Sequence, residues 1–455
     1  MSGQPRAAIA PARRCAYAVL RRVFEQGAYA DLALASEAAG LDRRDRALAM
    51  RLAYGAVQRK GTLDHLIARL AERAPRRLDA AVLAALRLGL YELLYLSGAP
   101  DRAVVGDAVE LAKSSPGRGH GLVNAVLRRA AREGAPALLG RLDDATPEQA
   151  AVKHSHPEWV ARLWWQELGA QGARALMARD NEPSELALRA NTLVTDAQQL
   201  AADLRAAGVE SHGDRTLEEA VVLEGPLGVE ESALWQAGAF HAQSRAAMLV
   251  ARALAPSSGE RVLDLCAAPG GKTTHLAALM KGEGEVLAIE RNRRRAADLA
   301  RTAERLHAAN VRVEVADAAA WNGESGFDRV LVDPPCSGLG TLQARPDLRW
   351  RASAGAVAEL AQLQRAILAA GAQALRPGGV LVYSTCTISP TENEHVIANF
   401  LDSHADFSLD DLAGELPAFT SQRPSRERPR LPGSVLTLPH RDDTAGFFIA
   451  RLRRS

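Results

Sequence analysis

The sequence predicts a multidomain chain in which an all-α bundle and a small α+β domain precede an α/β domain with a parallel sheet. Three observations support this prediction. The first 140 residues show helical periodicity without a strand pattern. From about residue 258, short apolar runs alternate with helical patterns, as in doubly wound sheets. One run, Val262–Leu265, leads into a turn with one proline and two glycines and then into a helical pattern over Lys272–Met280.

The all-α part is expected to span residues 1–140. Its predicted helices cover 6–27, 42–60, 62–73, 78–96, 101–114 and 119–134. This segment holds 22 Lys and Arg against 13 Asp and Glu, although the whole chain has a net charge of only +2. Such a basic segment is typical of a module that binds a polyanion. Its arginine pairs could track phosphates, namely Arg13 with Arg14, Arg21 with Arg22, and Arg43 with Arg44. The alternative is that the arginines only keep the helices soluble.

A small α+β domain is expected at 150–240, after a stretch rich in Gly and Pro near 135–150. Its predicted elements are helices over 157–179 and 196–207 and short strands over 186–190 and 221–223. The sequence does not disclose what this domain does. A helix over 241–254 is expected to open the third domain, 241–455.

Polar side chains follow successive strands of the α/β domain. The strands are predicted at 262–265, 284–290, 311–315, 327–332 and 379–383, with a final strand at 446–452. Glu290 ends the second strand, Asp317 and Asp333 follow the third and fourth, and Cys386 follows the fifth. Open α/β sheets bind ligands beyond the carboxyl ends of their strands. We therefore expect a ligand site at this edge of the sheet.

The turn after the first of these strands is expected to contact a cofactor. Its residues are Cys266, Ala267, Ala268, Pro269, Gly270 and Gly271, and Lys272 follows them. Glycine lets a backbone approach a ligand closely, because no Cβ stands in the way. The turn is not a Walker phosphate loop, since Cys266 occupies the position of the first glycine of that motif. Taken alone, such a turn could also serve only tight packing of strand against helix.

S-adenosylmethionine is the cofactor that this pattern favours. Glu290 lies nineteen residues beyond Gly271, about the distance at which an acid binds ribose hydroxyls in dinucleotide folds. Asp317 could accept a hydrogen bond from the adenine amino group, and the turn would face the methionine end. A nicotinamide dehydrogenase is the competing interpretation, but it lacks its G-x-G-x-x-G here. No metal site is expected.

Two cysteines at strand ends indicate the methyl acceptor. Carbon 5 of cytosine is too weak a nucleophile to attack a methyl sulfonium directly. Addition of a thiolate at carbon 6 gives an enamine whose carbon 5 is nucleophilic, and later loss of the carbon 5 proton lets the thiolate leave. Cys386 and Cys336 are the candidate thiols, and Asp333 is expected to meet the amidine edge of the base. Cys266 is expected to be a structural part of its turn.

Three segments resemble the signature motifs of the RNA cytosine-5 methyltransferases, namely Cys266–Lys272, Asp333–Gly338 and Ser384–Thr387. Arg345–Trp350 and Glu392–Glu394 also fit that pattern. The N-terminal bundle resembles the NusB-like RNA-binding domain. Over nearly its whole length the chain is similar to the Sun/Fmu family, the bacterial 16S rRNA methyltransferase B proteins.

The resemblance implies a Rossmann-like catalytic domain that methylates carbon 5 of a specific cytosine in 16S rRNA, with S-adenosylmethionine as cofactor. It makes Cys386 the nucleophile and Cys336 a thiol that helps to release the product. The resemblance also implies that the side chain of Lys272 is held near Asp333. A related tRNA target stays open.

Two positions depart from the family pattern. Glu290 replaces the commoner Asp, a tolerable change for a ribose contact. Thr444–Phe448 lacks the usual Asp before Gly-Phe-Phe, so the role of that residue cannot be carried over.

Two other functions fit less well. An amino methyltransferase would carry an aromatic residue after the Pro-Pro pair, where Cys336 stands. A non-enzymatic RNA-binding or antitermination factor would not need Cys386, Cys336 and Asp333 together.

The composition suggests a cytoplasmic protein. Four cysteines in 455 residues suggest a reducing compartment rather than a disulfide framework. No apolar run approaches about 18 residues, and the first residues lack the apolar region of a signal peptide. The expected partner is 16S rRNA, without a membrane and without an evident obligate protein partner.

Overall fold

The computed structural model describes residues 9–113, 119–225, 227–229, 232–412, 414–416, 419 and 431–455. The chain divides into two compact units. The first runs up to Glu182 and includes Leu342–Arg351, and the second comprises Pro183–Thr341 and Ala352–Ser455. The domain boundaries expected from the sequence, 1–140, 150–240 and 241–455, stay predictions.

The first unit is helical, as the sequence predicts. Its helices are α1 (Pro11–Glu25), α2 (Ala30–Glu37), α3 (Arg43–Gln58), α4 (Lys60–Ala71), α5 (Ala80–Tyr95), α6 (Asp101–Lys113), α7 (His120–Glu133), α8 (Ala135–Leu139), α9 (Pro147–Lys153) and α10 (Glu158–Arg179). α5 is the central helix, since most of its residues are buried and it packs against α1, α3, α4, α6 and α7. Asp42 and Asp79 cap α3 and α5 by accepting hydrogen bonds from backbone N–H groups of the first turn. α2 was not predicted.

A segment from late in the chain completes this first unit. Residues 342–351 end in a short helix, Leu348–Arg351, which is α16 in chain order. Arg349 is fully buried and donates to the carbonyl oxygens of Ser155 (2.9 Å) and Asp180 (3.1 Å). The indole of Trp350 donates to the carbonyl of Val57 at 2.7 Å. Part of the Arg345–Trp350 motif is thus a structural element of the helical unit.

The second unit begins with a small antiparallel sheet. Its strands are β1 (Ala187–Ala190), β2 (Ser211–Gly213), β3 (Ala220–Leu223) and β4 (Phe240–Ala242), in the order β2-β3-β1-β4. Two helices, α11 (Ala197–Ala206) and α12 (Ala233–Gln236), belong to it. The helix expected over 241–254 starts later, as α13 (Arg245–Leu254), because residues 240–242 pair with β1 and Ser244 caps the helix.

A larger mixed sheet forms the core of the same unit. Its strands are β5 (Arg261–Asp264), β6 (Glu285–Ile289), β7 (Val311–Glu314), β8 (Phe327–Val332), β9 (Leu375–Thr385), β10 (Phe407–Asp410), β11 (Val435–Leu436) and β12 (Phe448–Arg454). The order is β10-β12-β9-β8-β5-β6-β7, and β11 pairs with β12. β5 to β9 run parallel, whereas β10, β11 and β9 pair antiparallel with β12. The α/β fold class is therefore confirmed.

Most helices of this sheet follow its parallel strands, and α19 follows the antiparallel strand β11. They are α14 (Gly271–Leu279), α15 (Arg293–Arg305), α17 (Ala354–Ala374), α18 (Glu394–Ser403) and α19 (Pro439–Asp442). β5 is central, with β6 on one side and β8 on the other, so the strand order reverses there. In open α/β sheets this switch point is where the crevice for a ligand opens.

Candidate active site

The turn between β5 and α14 makes a close backbone approach possible. Gly270 has a φ of +103°, and a Cβ there would lie 2.6 Å from Cδ1 of Leu299. Gly271 begins α14, and a Cβ there would come within 3.0 Å of Nε2 of His241. A Cβ at either position would therefore crowd neighbouring side chains, which favours glycine at both.

Lys272 and Asp333 are in contact at this edge of the sheet. Lys272 lies in the first turn of α14, and Asp333 follows β8. Lys272 Nζ lies 2.8 Å from Asp333 Oδ2. Ser384, at the end of β9, donates to the other carboxylate oxygen, Asp333 Oδ1, at 2.7 Å. Burial lowers the pKa of Lys272, but the charge and hydrogen bond of Asp333 more than offset it, so the net pKa is raised. The ammonium group therefore stays charged and holds the carboxylate in place.

The two candidate thiols are adjacent. Cys336 Sγ and Cys386 Sγ lie 3.2 Å apart, although the residues are 50 positions apart in the chain. The hydrogen bond with Cys386, followed by burial, raises the pKa of Cys336 well above its ordinary value.

A buried hydrogen-bond network ties the two cysteine loops together. The carboxylate of Glu392, which is fully buried, accepts from the Ser337 N–H at 2.8 Å and from the Ser337 hydroxyl at 2.5 Å. The Ser337 hydroxyl also bonds to Thr387 Oγ1 at 2.7 Å. Gln364 on α17 donates to Glu392 at 3.1 Å and to the Pro335 carbonyl at 2.9 Å. The sequence indicated no role for Gln364, since a glutamine within a helix carries no local signal.

A cavity of about 230 Å³ lies beside this cluster. Its lining includes the predicted turn residues Cys266, Ala267, Ala268, Pro269 and Gly271, together with Lys272 and Asp333. It also includes six residues that sequence reasoning missed, namely Asp264 at the end of β5 and a group of five, His241, Ala242, Gln243, Ser244 and Ala247. The group of five was missed because residues 241–254 had the pattern of one continuous helix, whereas the chain turns between β4 and α13 at the cavity. Gly270 does not line the cavity.

Glu290 and Asp317 lie beyond the cavity lining. Glu290 follows β6, is 6% exposed and accepts from the Asn292 N–H at 2.8 Å. Asp317 follows β7, is exposed and caps a short 3₁₀ turn by accepting from the Ala319 N–H at 3.0 Å. Both carboxylates stand at the carboxyl edge of the sheet.

Cys266 differs from the adjacent thiol pair. Burial raises its pKa strongly, and the nearby carboxylates of Asp264 and Asp333 add to that shift. A thiol with a raised pKa is a weak nucleophile. Cys266 lines the cavity as a neutral side chain.

Not all of the predicted phosphate-tracking arginines are available on the helical unit. Arg13 is 14% exposed and pairs with Glu92 and with Asp107, the latter at 2.8 Å. Arg21 and Arg22 pair with Glu25 at 2.7 Å and Glu37 at 3.0 Å. The structure uses these three side chains to link helices or to stabilise a helix turn. Four arginines of α3 are exposed, namely Arg43, Arg44, Arg46 and Arg51.

Curated relatives match the chain along most of its length. The "Probable ribosomal RNA small subunit methyltransferase B" of Bacillus subtilis (strain 168) is 36% identical over 97% of this chain and 98% of its own. The "Ribosomal RNA small subunit methyltransferase B" of Sodalis glossinidius is 34% identical over 85% of this chain and 88% of its own. The chain belongs to the RsmB/F family of 16S rRNA methyltransferases. It is an RNA methyltransferase, as the resemblance implied.

Three family models each match one part of this RsmB/F methyltransferase. The model described as "16S rRNA methyltransferase RsmB/F" matches residues 251–453, and the model described as "NusB family" matches residues 10–132. A "Methyltr_RsmF/B-like, ferredoxin-like domain" matches 156–230. The fold of nearly the whole chain recurs in the crystal structure of PH0851, with a TM-score of 0.80, 27% identity and coverage of 99% of this chain and 100% of that one. "NSun6 from Pyrococcus horikoshii with SFG" shares the fold over 66% of this chain and 98% of that one, at a TM-score of 0.57 and 23% identity.

Two features are absent from the described ranges of this RsmB/F methyltransferase. No helix there is both long and apolar enough to cross a membrane. The same residues contain no group of three or more His, Cys, Asp or Glu side chains that could hold a metal ion.

Proposed function

We propose that this methyltransferase uses S-adenosylmethionine to methylate carbon 5 of a cytosine in 16S rRNA, through a covalent bond between Cys386 and carbon 6. The observation that carries the proposal is the pair of thiols, with Sγ atoms 3.2 Å apart, next to the Lys272–Asp333 pair that lines the cavity. A methyltransferase that acts on an exocyclic nitrogen has no use for two thiols, because that nitrogen is the nucleophile.

The cavity fits the proposed cofactor. Gly271 and the other lining residues of the tight turn can place backbone against the ligand, and Glu290 offers a carboxylate to ribose hydroxyls. Asp317 is proposed as the acceptor for the adenine amino group. When bound, the cofactor supplies an electrophilic methyl group. Cys266, Ala267, Ala268, Pro269 and the glycines contribute shape and backbone contacts.

The pKa of Cys336 supports Cys386 as the nucleophile. The hydrogen bond between the sulfurs is the first cause of the raised pKa of Cys336. On that ground, together with the resemblance of the Cys386 segment to the motif of the nucleophile, we assign the proton of the pair to Cys336. Its S–H then donates to Cys386 and stabilises a thiolate there. The thiolate adds to carbon 6 of the base, and the electron pair of the carbon 5–carbon 6 double bond moves to make carbon 5 nucleophilic.

Cys336 then serves product release. Once Cys386 is bonded to carbon 6 it is a neutral thioether, and the first cause of the raised pKa of Cys336 has gone. Cys336 then gives its own proton to solvent and, as a thiolate, accepts the carbon 5 proton after methyl transfer. The electrons of that C–H bond restore the ring double bond and expel the Cys386 thiolate. One proton passes to solvent in each cycle, which balances the proton lost from carbon 5, and both sulfurs return to their starting states.

Asp333 is proposed to bind the amidine edge of the cytosine. Lys272 and Ser384 each engage one of its oxygens, at 2.8 and 2.7 Å, and fix the orientation of the carboxylate. Remaining lone pairs can accept from the amino group of the base. Such preorganisation places the base before reaction begins.

The helical unit is proposed to bind the RNA backbone. Residues 10–132 match the NusB family, and the segment 1–140 carries the excess of positive charge. Arg43, Arg44, Arg46 and Arg51 are exposed on one helix and can approach phosphates.

Bisulfite sequencing of rRNA tests the proposal. Cells that lack the gene are complemented with the parent chain, with Cys386→Ala, or with the matched control Cys15→Ala, whose thiol packs in α1 far along the chain from the site. We expect one cytosine of 16S rRNA to resist conversion with the parent and the control but not with Cys386→Ala. Protection that persists with Cys386→Ala contradicts the covalent mechanism. Protection that appears only in tRNA contradicts the substrate.

A further inference from the structure

We infer that Arg189 is a positioning residue that turns the amide nitrogen of Gln243 toward the carboxylate in the methionine half of the cofactor. This inference rests on the proposed function, because it takes S-adenosylmethionine as the ligand of the cavity. Arg189 belongs to the small antiparallel sheet and Gln243 to the turn before α13, so both lie outside the three motifs of the α/β domain.

Arg189 makes two hydrogen bonds that lock its guanidinium in place. Its Nε donates to Gln243 Oε1 at 2.9 Å, and its Nη2 donates to Thr274 Oγ1 on α14 at 2.9 Å. Arg189 is 1% exposed, and burial lowers its pKa to about 9, so it remains protonated at neutral pH. A buried cation that links a small sheet to the helix of the cofactor turn is a costly feature unless it serves an interaction.

The chemistry of the guanidinium fixes the orientation of the amide. Arginine has five N–H donors and no acceptor, so the Gln243 atom that faces it must be the carbonyl oxygen. The amide nitrogen of Gln243 is therefore turned away from Arg189. Within the described part of the chain it has no hydrogen-bond partner, and it is shielded from solvent. A buried donor without a partner destabilises the protein. Because Gln243 lines the cavity, a small movement of its amide on ligand binding would bring this N–H to a ligand carboxylate and supply the partner.

The composition of the cavity lining indicates which part of the cofactor lies here. Glu290 and Asp317, proposed for the ribose and adenine, are absent from the lining. The part that remains is the methionine half, which carries one ammonium and one carboxylate group. Asp264 lines the cavity and suits the ammonium, while an amide N–H suits the carboxylate. His241 also lines it, and burial lowers its pKa to about 3, so it adds no charge.

Two ligands separate this contact from general effects on the site. S-adenosylhomocysteine has the amino acid half of the cofactor, and 5′-methylthioadenosine lacks it. By calorimetry we expect Gln243→Ala to weaken S-adenosylhomocysteine binding about tenfold to a hundredfold, the effect of losing a hydrogen bond to a charged group. Binding of 5′-methylthioadenosine should change by less than about twofold on the same grounds. The matched control Gln236→Ala, an exposed glutamine of α12, should alter neither ligand.

A double-variant cycle tests the role of Arg189. Arg189→Met should reduce the affinity ratio between the two ligands in the same direction as Gln243→Ala. The double variant should show the loss of Gln243→Ala alone, because Arg189 acts only through that amide. If Arg189→Met does not fold, Arg189→Lys takes its place, because lysine keeps the buried charge but lacks the planar fork that holds Gln243 and Thr274 together. Gln243→Glu gives a second test of the amide, since a carboxylate at 243 would repel the ligand carboxylate.

The outcomes distinguish the inference from the proposed function. An equal loss for both ligands, or no loss for either, overturns the role of Gln243, and additive losses in the double variant overturn that of Arg189. If the parent chain binds neither ligand, the proposed cofactor is wrong, and the inference falls with it. If the parent binds both equally well, the cofactor stands and only the inference is overturned.

Discussion

Cys336 and Cys386 share a single sulfur–sulfur contact of 3.2 Å, and each sits just beyond the carboxyl end of a neighbouring parallel strand, β8 and β9. Adjacent strands bring their following loops together, so the contact is a direct result of sheet topology. Glu392 then holds both loops through Ser337 and Thr387. This arrangement makes separate roles for the two thiols testable.

Replacing Cys336 should trap the reaction after methyl transfer. In Cys336→Ala, Cys386 can still add to carbon 6, but the acceptor for the carbon 5 proton is missing. We expect a covalent protein–RNA adduct, seen as a slow band on a denaturing gel. Cys336→Ala/Cys386→Ala should give no such band. An adduct with Cys386→Ala but not with Cys336→Ala would show that the roles are exchanged.

Removing the Glu290 carboxylate should weaken cofactor binding. Loss of a hydrogen bond to a charged group costs roughly 1.5–3 kcal/mol, or about tenfold to a hundredfold in affinity. Calorimetry with S-adenosylhomocysteine compares Glu290→Ala with Glu304→Ala, an exposed glutamate of α15. An unchanged dissociation constant for Glu290→Ala would mean that another group holds the ribose.

The exposed arginines of α3 should account for part of the salt dependence of RNA binding. Each phosphate contact contributes roughly 0.7–0.9 to the slope of log affinity against log salt concentration. Substituting Arg43, Arg44, Arg46 and Arg51 with Ala should therefore lower that slope by up to roughly 3. S-adenosylhomocysteine affinity serves as the control and should not change. Equal slopes for parent and variant would remove α3 from the RNA contact.

The stability of the helical unit should fall as pH rises through about 7. Burial raises the pKa of Asp180 to about 7, although the charge of Arg349 lowers it. His156 Nδ1 donates to the His154 carbonyl at 2.8 Å, so its neutral ring presents a bare Nε2 to Asp180 Oδ2 at 3.3 Å. The Asp180 carboxyl must then supply the proton of that contact. The stabilisation is complete below the unfolded pKa of about 4 and is lost above the folded value of about 7.

Asp180→Asn tests this because an amide N–H can replace the carboxyl proton at every pH. Urea denaturation at pH 5 and pH 8 measures the free energy of unfolding of both proteins. The difference between variant and parent should shift in favour of the variant at pH 8, by on the order of a few kcal/mol. Asp64→Asn, a partly exposed acid paired with Arg87, is the comparison and should lose stability relative to the parent at pH 8. If the difference in unfolding free energy between Asp180→Asn and the parent is the same at both pH values, the carboxyl does not titrate in this range.

The sequence by itself determined the family, the fold class and most of the secondary structure. Local periodicity encodes helices such as α3 and α5, and the apolar runs of β5, β6 and β8 encode a parallel sheet. Because parallel strands end at one edge, the chemistry-bearing residues after them had to converge, and Lys272 with Asp333 and Cys336 with Cys386 do so.

Only the tertiary structure decided which distant residues support that edge. Arg189 meets Gln243 and Thr274 across 54 and 85 positions, and Arg349 meets Ser155 across 194. No local pattern marks these residues, because a hydrogen bond between side chains depends on how finished elements pack rather than on spacing along the chain. The turn at 241–244 was hidden for the same reason. Its residues continue the helical pattern of α13 in the sequence, and only the pairing of β4 with β1 removes them from that helix and brings them to the cavity.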